Sequence, residues 1–551
     1  MADRVYLYDT TLRDGAQTQG VDFSAADKAR IARELDSLGI DYIEGGWPGA
    51  NPTDDAFFAD PPALSHATLS AFGMTRRSGR SAANDPGLTA VLSSSAKAVT
   101  LVGKCWDFQV EVALGIDLAE NIAMIGQSIE HARTRMGEVL FDAEHFFDGY
   151  KANPVYALSA AKAALKAGAR WVVLCDTNGG SLPHEVERIV GEVIAAGIPG
   201  DRLGVHCHND TDSAVANSLA AVRAGARHVQ GSINGLGERC GNANLISLIP
   251  NLALKMGFET GVSPYQMRNL VRVSRALDEV LDRTPERQRP YVGESAFAHK
   301  GGLHVSAVAK DPRCYEHLDP SLVGNSRLIL VSDQAGRSNI AARMADLGAS
   351  LDDVKRDALI AVVDEMQVDF DPREVTDLVD LVKRLEHEGY AYDHATASFE
   401  LLVRRAMGQV PRYFQLERYR VIDERRRNPE GEWLTLSEAT IKVLVDGKSH
   451  MEVGEGNGPV HAFDVALRKV LTQVYPALDR LELTDYRVRI VESTAGTTAK
   501  TRVTIESSDG AGQSWVTVGV HTNVLEASLE ALQDSISYML FRLAQQQLTE
   551  P

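Results

Sequence analysis

The sequence predicts an α/β protein: eight strand–helix units closed into a barrel, then a helical stretch, then a separate α+β module. Three observations carry this reading. Strand candidates followed by helical stretches recur about eight times in roughly the first 255 residues, the count of a TIM (β/α)8 barrel. A helix–glycine–strand step repeats at Gly39, Gly168, Gly197 and Gly225. After about residue 400, two strand-rich segments each end in one long helix.

The first unit carries these signals in order. Ser24 precedes a helical pattern with Asp27 three residues on, close to a capping box. Ile31, Leu35 and Leu38 recur at helical spacing, Gly39 ends the helix, and IDYIEGG reads as a strand. The strand candidates lie near 5–9, 40–45, 67–73, 98–103, 138–143, 170–176, 202–207 and 227–232. A doubly wound open sheet is the competing arrangement. It needs a glycine-rich phosphate loop after the first strand, where this chain has YDTTLRDG.

Residues 1–265 are thus expected to be the barrel, 266–400 helical linker subdomains, and 401–551 a separate α+β domain. In the last, strands are predicted near 413–422 and 435–447 before the helix AFDVALRKVLTQVY. The second set lies near 485–493, 499–507 and 513–520, before EASLEALQDSISYMLFRLAQ. Two such units suggest a duplicated module.

Composition narrows the function classes. The chain carries 57 Lys and Arg against 75 Asp and Glu, a net charge of −18. Such a surface has no general attraction to nucleic acid or to anionic membranes. No run of about 18 apolar residues predicts a transmembrane helix. The start, MADRVYLYDTTLRDG, lacks a signal-peptide pattern, and five scattered cysteines form neither a disulfide framework nor a CxxC pair. A cytoplasmic location is expected.

The chemistry gathers at the carboxyl ends of the predicted strands, where barrel active sites lie. Strand one ends in Asp9, Arg13 and Asp14, and strand two carries Glu44. Strand five ends in Asp142, Glu144 and His145, and strand six in Asp176 and Thr177. Strand seven supplies His206, His208, Asn209 and Asp210; Asn234, Glu238, Arg239 and Asn242 follow strand eight. His206 and His208 are i and i+2 of one strand, so both imidazoles face one side, at the reach of one metal ion. With Asp14 as an oxygen ligand, two His and a carboxylate leave coordination positions for a bidentate substrate. Cys207 points to the other face, toward the core. Asp9 reads equally as a hydrogen-bonded structural carboxylate, and Glu44 as an interior partner for Arg13.

DTTLRDGAQ, HCHNDTDSAVANSLAAVRAGA and NGLGERCGNANL resemble the signatures of the α-isopropylmalate, homocitrate and citramalate synthase family. GLHVSAV, GNGPVHAFDVAL and TAGTTAKTRVTIE extend the resemblance into the linker and the C-terminal LeuA-dimer-like domain. IEGGWPGANPTDDAFF and DAEHFFDGY are worded more like the pyruvate-using branch.

The resemblance implies an acyltransferase that condenses acetyl-CoA with a 2-oxo acid, pyruvate being expected, in amino-acid biosynthesis. It implies a divalent metal on Asp14, His206 and His208, with Asn242 as a longer fourth contact. It gives Arg13 the carbonyl, Glu144 acid/base work, Thr177 the acceptor's carboxylate and Glu44 a place in the substrate site. His304 and Tyr315 are implied to enter the partner subunit's active site in a homodimer, and the base is Glu144, His304 or both. An end-product amino acid, isoleucine for this branch, is the implied effector. The turns GEGNGP (454–459) and STAGTT (493–498) are candidates to hold it. The alternatives are a 2-oxoisovalerate-using enzyme and a catalytically inactive amino-acid sensor. Hydroxymethylglutaryl-CoA lyases would need a cysteine in a GGCPY-like loop, where this chain reads GLGERCGNAN.

Overall fold

The computed structural model describes residues 3–331, 337–366, 368, 370–427, 431, 433–491 and 499–549. The chain forms two compact units. The first is Met1–Phe297 with Leu318–Arg327; the second is Ala298–His317 with Leu328–Pro551.

Eight parallel strands close the first unit into a TIM-type barrel. They are β1 (Tyr6–Asp9), β2 (Tyr42–Gly46), β3 (Thr68–Met74), β4 (Ala98–Lys104), β5 (Glu138–Glu144), β6 (Trp171–Asp176), β7 (Leu203–Cys207) and β8 (His228–Gly231). β1 pairs with both β2 and β8, which completes the ring. Local rules set the boundaries. Asp27 N–H donates to Ser24 Oγ and Ser24 N–H to Asp27 Oδ2, opening the helix Ala25–Leu38. Gly39 ends it at φ 95°, a left-handed conformation that costs glycine nothing.

The amino end of the barrel is plugged by rings from the first residues of several strands. Trp171 stacks on His228 with centroids 5.0 Å apart, Tyr6 lies 5.3 Å from Trp171, and Tyr42 lies 5.8 Å from His228. His228 is fully buried, and neither ring nitrogen has a hydrogen-bond partner among the described residues. Burial pushes its imidazole down to about 3.

The helix Leu270–Val280 belongs with the barrel, not with a separate linker. Its Leu270, Val273 and Leu277 are buried in the same apolar core as Ile31 and Leu35. An amphipathic stripe predicts such a helix but not the surface that covers it.

In the second unit, β9 (Ala298–His299) pairs with β10 (Leu328–Ile329). The helices Arg356–Glu365, Leu378–Glu388 and Thr396–Ala406 follow. Two three-stranded antiparallel sheets come next: β11 (Gln415–Arg427), β12 (Trp433–Val445) and β13 (Lys448–Gly456), then β14 (Glu482–Ile490), β15 (Thr501–Ser508) and β16 (Ser514–His521). The helix Pro459–Val474 follows the first sheet and Val524–Thr549 the second.

The first sheet has one strand more than the sequence reading predicts. Asp446 and Gly447 take φ 49° and 73°, a two-residue hairpin turn that folds β13 back onto β12. Gly454 and Gly456 therefore lie in a strand rather than in an open turn. A Cβ on Gly454 would overlap the Ala462 carbonyl oxygen and the Ala466 nitrogen of the following helix. Gly519 of β16 stands in the same relation to Ala527 and Ala531, at the same sequence offsets. The second proposed turn, 493–498, lies outside the described residues. No described helix is long and apolar enough to cross a membrane.

Candidate metal and substrate site

The carboxyl ends of β1 and β7 bring three buried side chains together. Asp14 lies just past β1, His206 within β7, and His208 one residue beyond it. Each offers a ligand atom within 4.8 Å of the others. Asp14 Oδ2 is 3.5 Å from His206 Nε2 and 3.8 Å from His208 Nε2. Cys207, between the histidines, is buried in the apolar core. Asn242 bridges to His208, and its carboxamide oxygen is buried with no hydrogen-bond partner among the described residues. Two imidazoles, one carboxylate and an orphaned amide oxygen are the donor set of a divalent transition-metal site, so these residues fit such an ion.

The electrostatics suit a cation. Burial pushes His206 down to about 4, helped by His208, and burial also lowers His208. Both imidazoles are therefore neutral near neutral pH, the form that ligates metal. Burial alone would raise Asp14, but Arg13, His206 and His208 outweigh it and hold the carboxyl down at about 2.

Arg13 is built into this cluster. Its Nε donates to Glu44 Oε2 at 2.7 Å, its Nη1 lies 3.4 Å from Asp14 Oδ2, and its Cζ sits 4.0 Å from the centre of the Phe72 ring. Burial disfavours its charge, but Glu44 and Asp14 keep the guanidinium cationic. Both oxygens of Glu44 are engaged, Oε1 accepting from Tyr8 and Oε2 from Arg13. Any influence of Glu44 on a substrate would run through Arg13.

Glu144, the last residue of β5, pairs with Lys104, the last of β4, at 2.5 Å. The two are register partners in adjacent strands. They line a cavity of about 300 Å³ with Trp47, Met74, Arg76 and Arg77. Lys104 is not among the strand-end residues named from the sequence, although a lysine ending a strand before CWD is a signal of the same kind. Thr177 Oγ1 accepts from the His145 N–H at 2.9 Å, and Thr177 O accepts from Arg239 at 2.7 Å.

Other strand-end residues hold loops. Asp9 accepts from Thr11 N–H and Oγ1–H at 2.9 and 2.8 Å; burial raises its carboxyl to about 7 against those bonds. Asp176 accepts from Ser181. Arg239 grips Asp210 at 2.7 and 2.9 Å. His304 and Tyr315 lie in the second unit, with rings stacked at 4.1 Å.

Comparison with known proteins adds identity to this geometry. Residues 4–274 match the HMGL-like family, 291–370 the homocitrate synthase post-HMGL domain-like family, and 393–540 the LeuA allosteric (dimerisation) domain. The chain is 49% identical to an (R)-citramalate synthase of Aquifex aeolicus, over 98% of this chain and 99% of the other. The chain belongs to the (R)-citramalate synthase family. A second member, from Synechocystis, is 48% identical over 97% of this chain and 96% of its own. A probable 2-isopropylmalate synthase of Methanopyrus kandleri is more distant, at 31% over 98% and 99%. The identity to the (R)-citramalate synthases is the higher of the two.

Proposed function

We propose that the barrel condenses acetyl-CoA with pyruvate and water to give (R)-citramalate and CoA. The observation that supports it most directly is the buried Asp14–His206–His208 cluster with cationic Arg13 beside it. A divalent ion held by these three residues, with Asn242 as a further oxygen donor, supplies Lewis acidity toward the keto and carboxylate oxygens of the 2-oxo acid.

The chain's own residues do the rest. Glu144 takes a proton from the acetyl methyl group, and the enolate carbon bonds to C2 of pyruvate. Arg13 donates to the oxygen that gains charge at C2, a role suited to a guanidinium that Glu44 holds in place. Thr177 receives the acceptor's carboxylate. Water then cleaves the thioester, releasing CoA and making the sequence irreversible.

Two further assignments belong to this reading. The chain forms a homodimer through its LeuA module, whose Met451, Val453, Val488 and Ile490 are exposed on edge strands. In the dimer, His304 and Tyr315 serve the partner's site, His304 sharing the base role. The module binds an end-product amino acid, isoleucine for this product, and the enzyme works in the cytosol. CoA release from purified protein against pyruvate, 2-oxobutyrate, 2-oxoisovalerate and 2-oxoglutarate tests the activity. Pyruvate is expected to give the highest kcat/KM; a higher value with 2-oxoisovalerate overturns the assignment. Calorimetric titration of the full chain with isoleucine and leucine tests the effector.

A further inference from the structure

The two histidines of the cluster are not held alike. Nδ1 of His208 is buried with no hydrogen-bond partner among the described residues. Nδ1 of His206 lies 2.9 Å from Gln230 Oε1. Gln230 stands on β8, directly across from His206 in the β7–β8 register, and is fully buried. Its amide nitrogen reaches through the barrel interior and donates to Asp142 Oδ1 on β5 at 3.0 Å.

We propose that Gln230, oriented by Asp142, is the positioning residue that fixes the tautomer and ring angle of His206 for the metal. A carboxamide beside an imidazole fits two ways round, oxygen first or nitrogen first. Asp142 breaks the tie. Ionised, or protonated on its other oxygen, it presents Oδ1 as an acceptor and draws the Gln230 N–H to itself. The Gln230 oxygen then faces His206 Nδ1, which must carry the proton. Nε2 is left with a bare lone pair, and Nε2 is the atom turned toward Asp14. Outer-sphere partners of ligating histidines commonly contribute 10–100-fold in metal affinity. Among the described residues nothing holds His208 at Nδ1, so the Gln230 contact is the one that preorganises the pair.

The inference rests on Asp14, His206 and His208 being metal ligands, and the experiment separates the two ideas. Full-length parent, Gln230→Leu, Gln230→Glu and Asp142→Asn are stripped of metal, then titrated with Co2+ against a competing chelator. Thermal melting of the stripped proteins monitors the fold. Selective 15N-histidine labelling reports the tautomer of His206. Gln230→Leu is expected to bind Co2+ about 10–100-fold more weakly and to lose the single Nδ1–H tautomer. Gln230→Glu, which keeps an acceptor oxygen, is expected to return affinity to within a few-fold of the parent. Asp142→Asn can turn the amide round and should fall between. Parent affinity and an unchanged tautomer in a folded Gln230→Leu overturn the proposal. If Gln230→Leu does not fold, parent affinity and tautomer in Asp142→Asn overturn it instead. A parent whose Co2+ binding is indifferent to His206→Ala overturns the metal reading itself.

Discussion

The two ends of the barrel are made from the same strands and treat polar atoms in opposite ways. On β8, His228 and Gln230 are two residues apart and face the same interior. His228 lies among Tyr8, Tyr42 and Trp171, closed in by rings. Gln230 lies between Asp142 and His206, in a chain of hydrogen bonds that runs from the Asp142 carboxylate to Nδ1 of His206. The amino end spends its residues on packing, while the carboxyl end holds charged groups apart from water and keeps their lone pairs directed inward. Stability and chemistry are therefore expected to separate under mutation.

The largest effect is expected at the carboxyl end. Asp14→Ala, His206→Ala and His208→Ala should each lose the metal and abolish CoA release, while the metal-free melting temperature stays near that of the metal-free parent. Elemental analysis and a thiol assay check this; full metal and full rate in any of the three removes that residue from the site. Glu144→Gln should keep metal and fold and slow turnover by about 10²–10⁴-fold. Turnover within a few-fold of the parent would leave Glu144 a structural partner of Lys104 and move the base to His304.

At the amino end the balance should invert. Trp171→Ala removes a fully buried ring and should destabilise by about 3–5 kcal/mol in urea titration. The fraction that remains folded should bind metal with parent affinity. A loss of metal affinity comparable to that of His206→Ala would break the separation of the two ends.

A smaller, pH-dependent effect comes from His228. Its ordinary value is 6.5, and burial lowers it to about 3 in the fold. Between those values the unfolded chain takes up a proton that the folded chain refuses. The contribution of this residue is thus complete above pH 6.5 and is lost as pH falls toward 3, at up to about 1.4 kcal/mol for every pH unit descended. His228→Phe should flatten the acid limb of the stability curve. An unchanged limb would assign the acid sensitivity to other groups. Smallest is acceptor choice: the extra methylene of 2-oxobutyrate should change kcat/KM relative to pyruvate by about 10–200-fold.

Much of the barrel was legible because its signals are local. Strand boundaries follow from apolar runs closed by glycine at Gly39, Gly168, Gly197 and Gly225, and the observed strands begin within two residues of the expected ones. His206 and His208 were legible as a pair because alternation along one strand places them on one face. The Asp142–Gln230–His206 chain was not, since it joins β5 to β8 across the interior and exists only once the ring closes. Lys104 and Glu144 become neighbours through strand register, which neither local sequence states. The surroundings of His228 depend on rings from distant strands. β13 escaped notice although Asp446-Gly447 is a recognised hairpin signal, because KSHMEVGEG alternates weakly and ends in glycines.

The matched contacts of Gly454 with Ala462 and Ala466, and of Gly519 with Ala527 and Ala531, carry a consequence for descent. Each glycine lets a helix backbone rest directly on its sheet, and no other residue can take that place without pushing the helix away. The shared spacing is what a single ancestral half, copied and fused in tandem, would leave behind. The first strands keep the mark as well: β11 opens QLERYRV and β14 ELTDYRV, alike at leucine, tyrosine, arginine and valine. Duplication of this kind releases one copy to acquire a new task while the other preserves the joint. The glycine–alanine spacing, with the shared YRV of the first strands, is then a pattern by which diverged halves of other chains can be found.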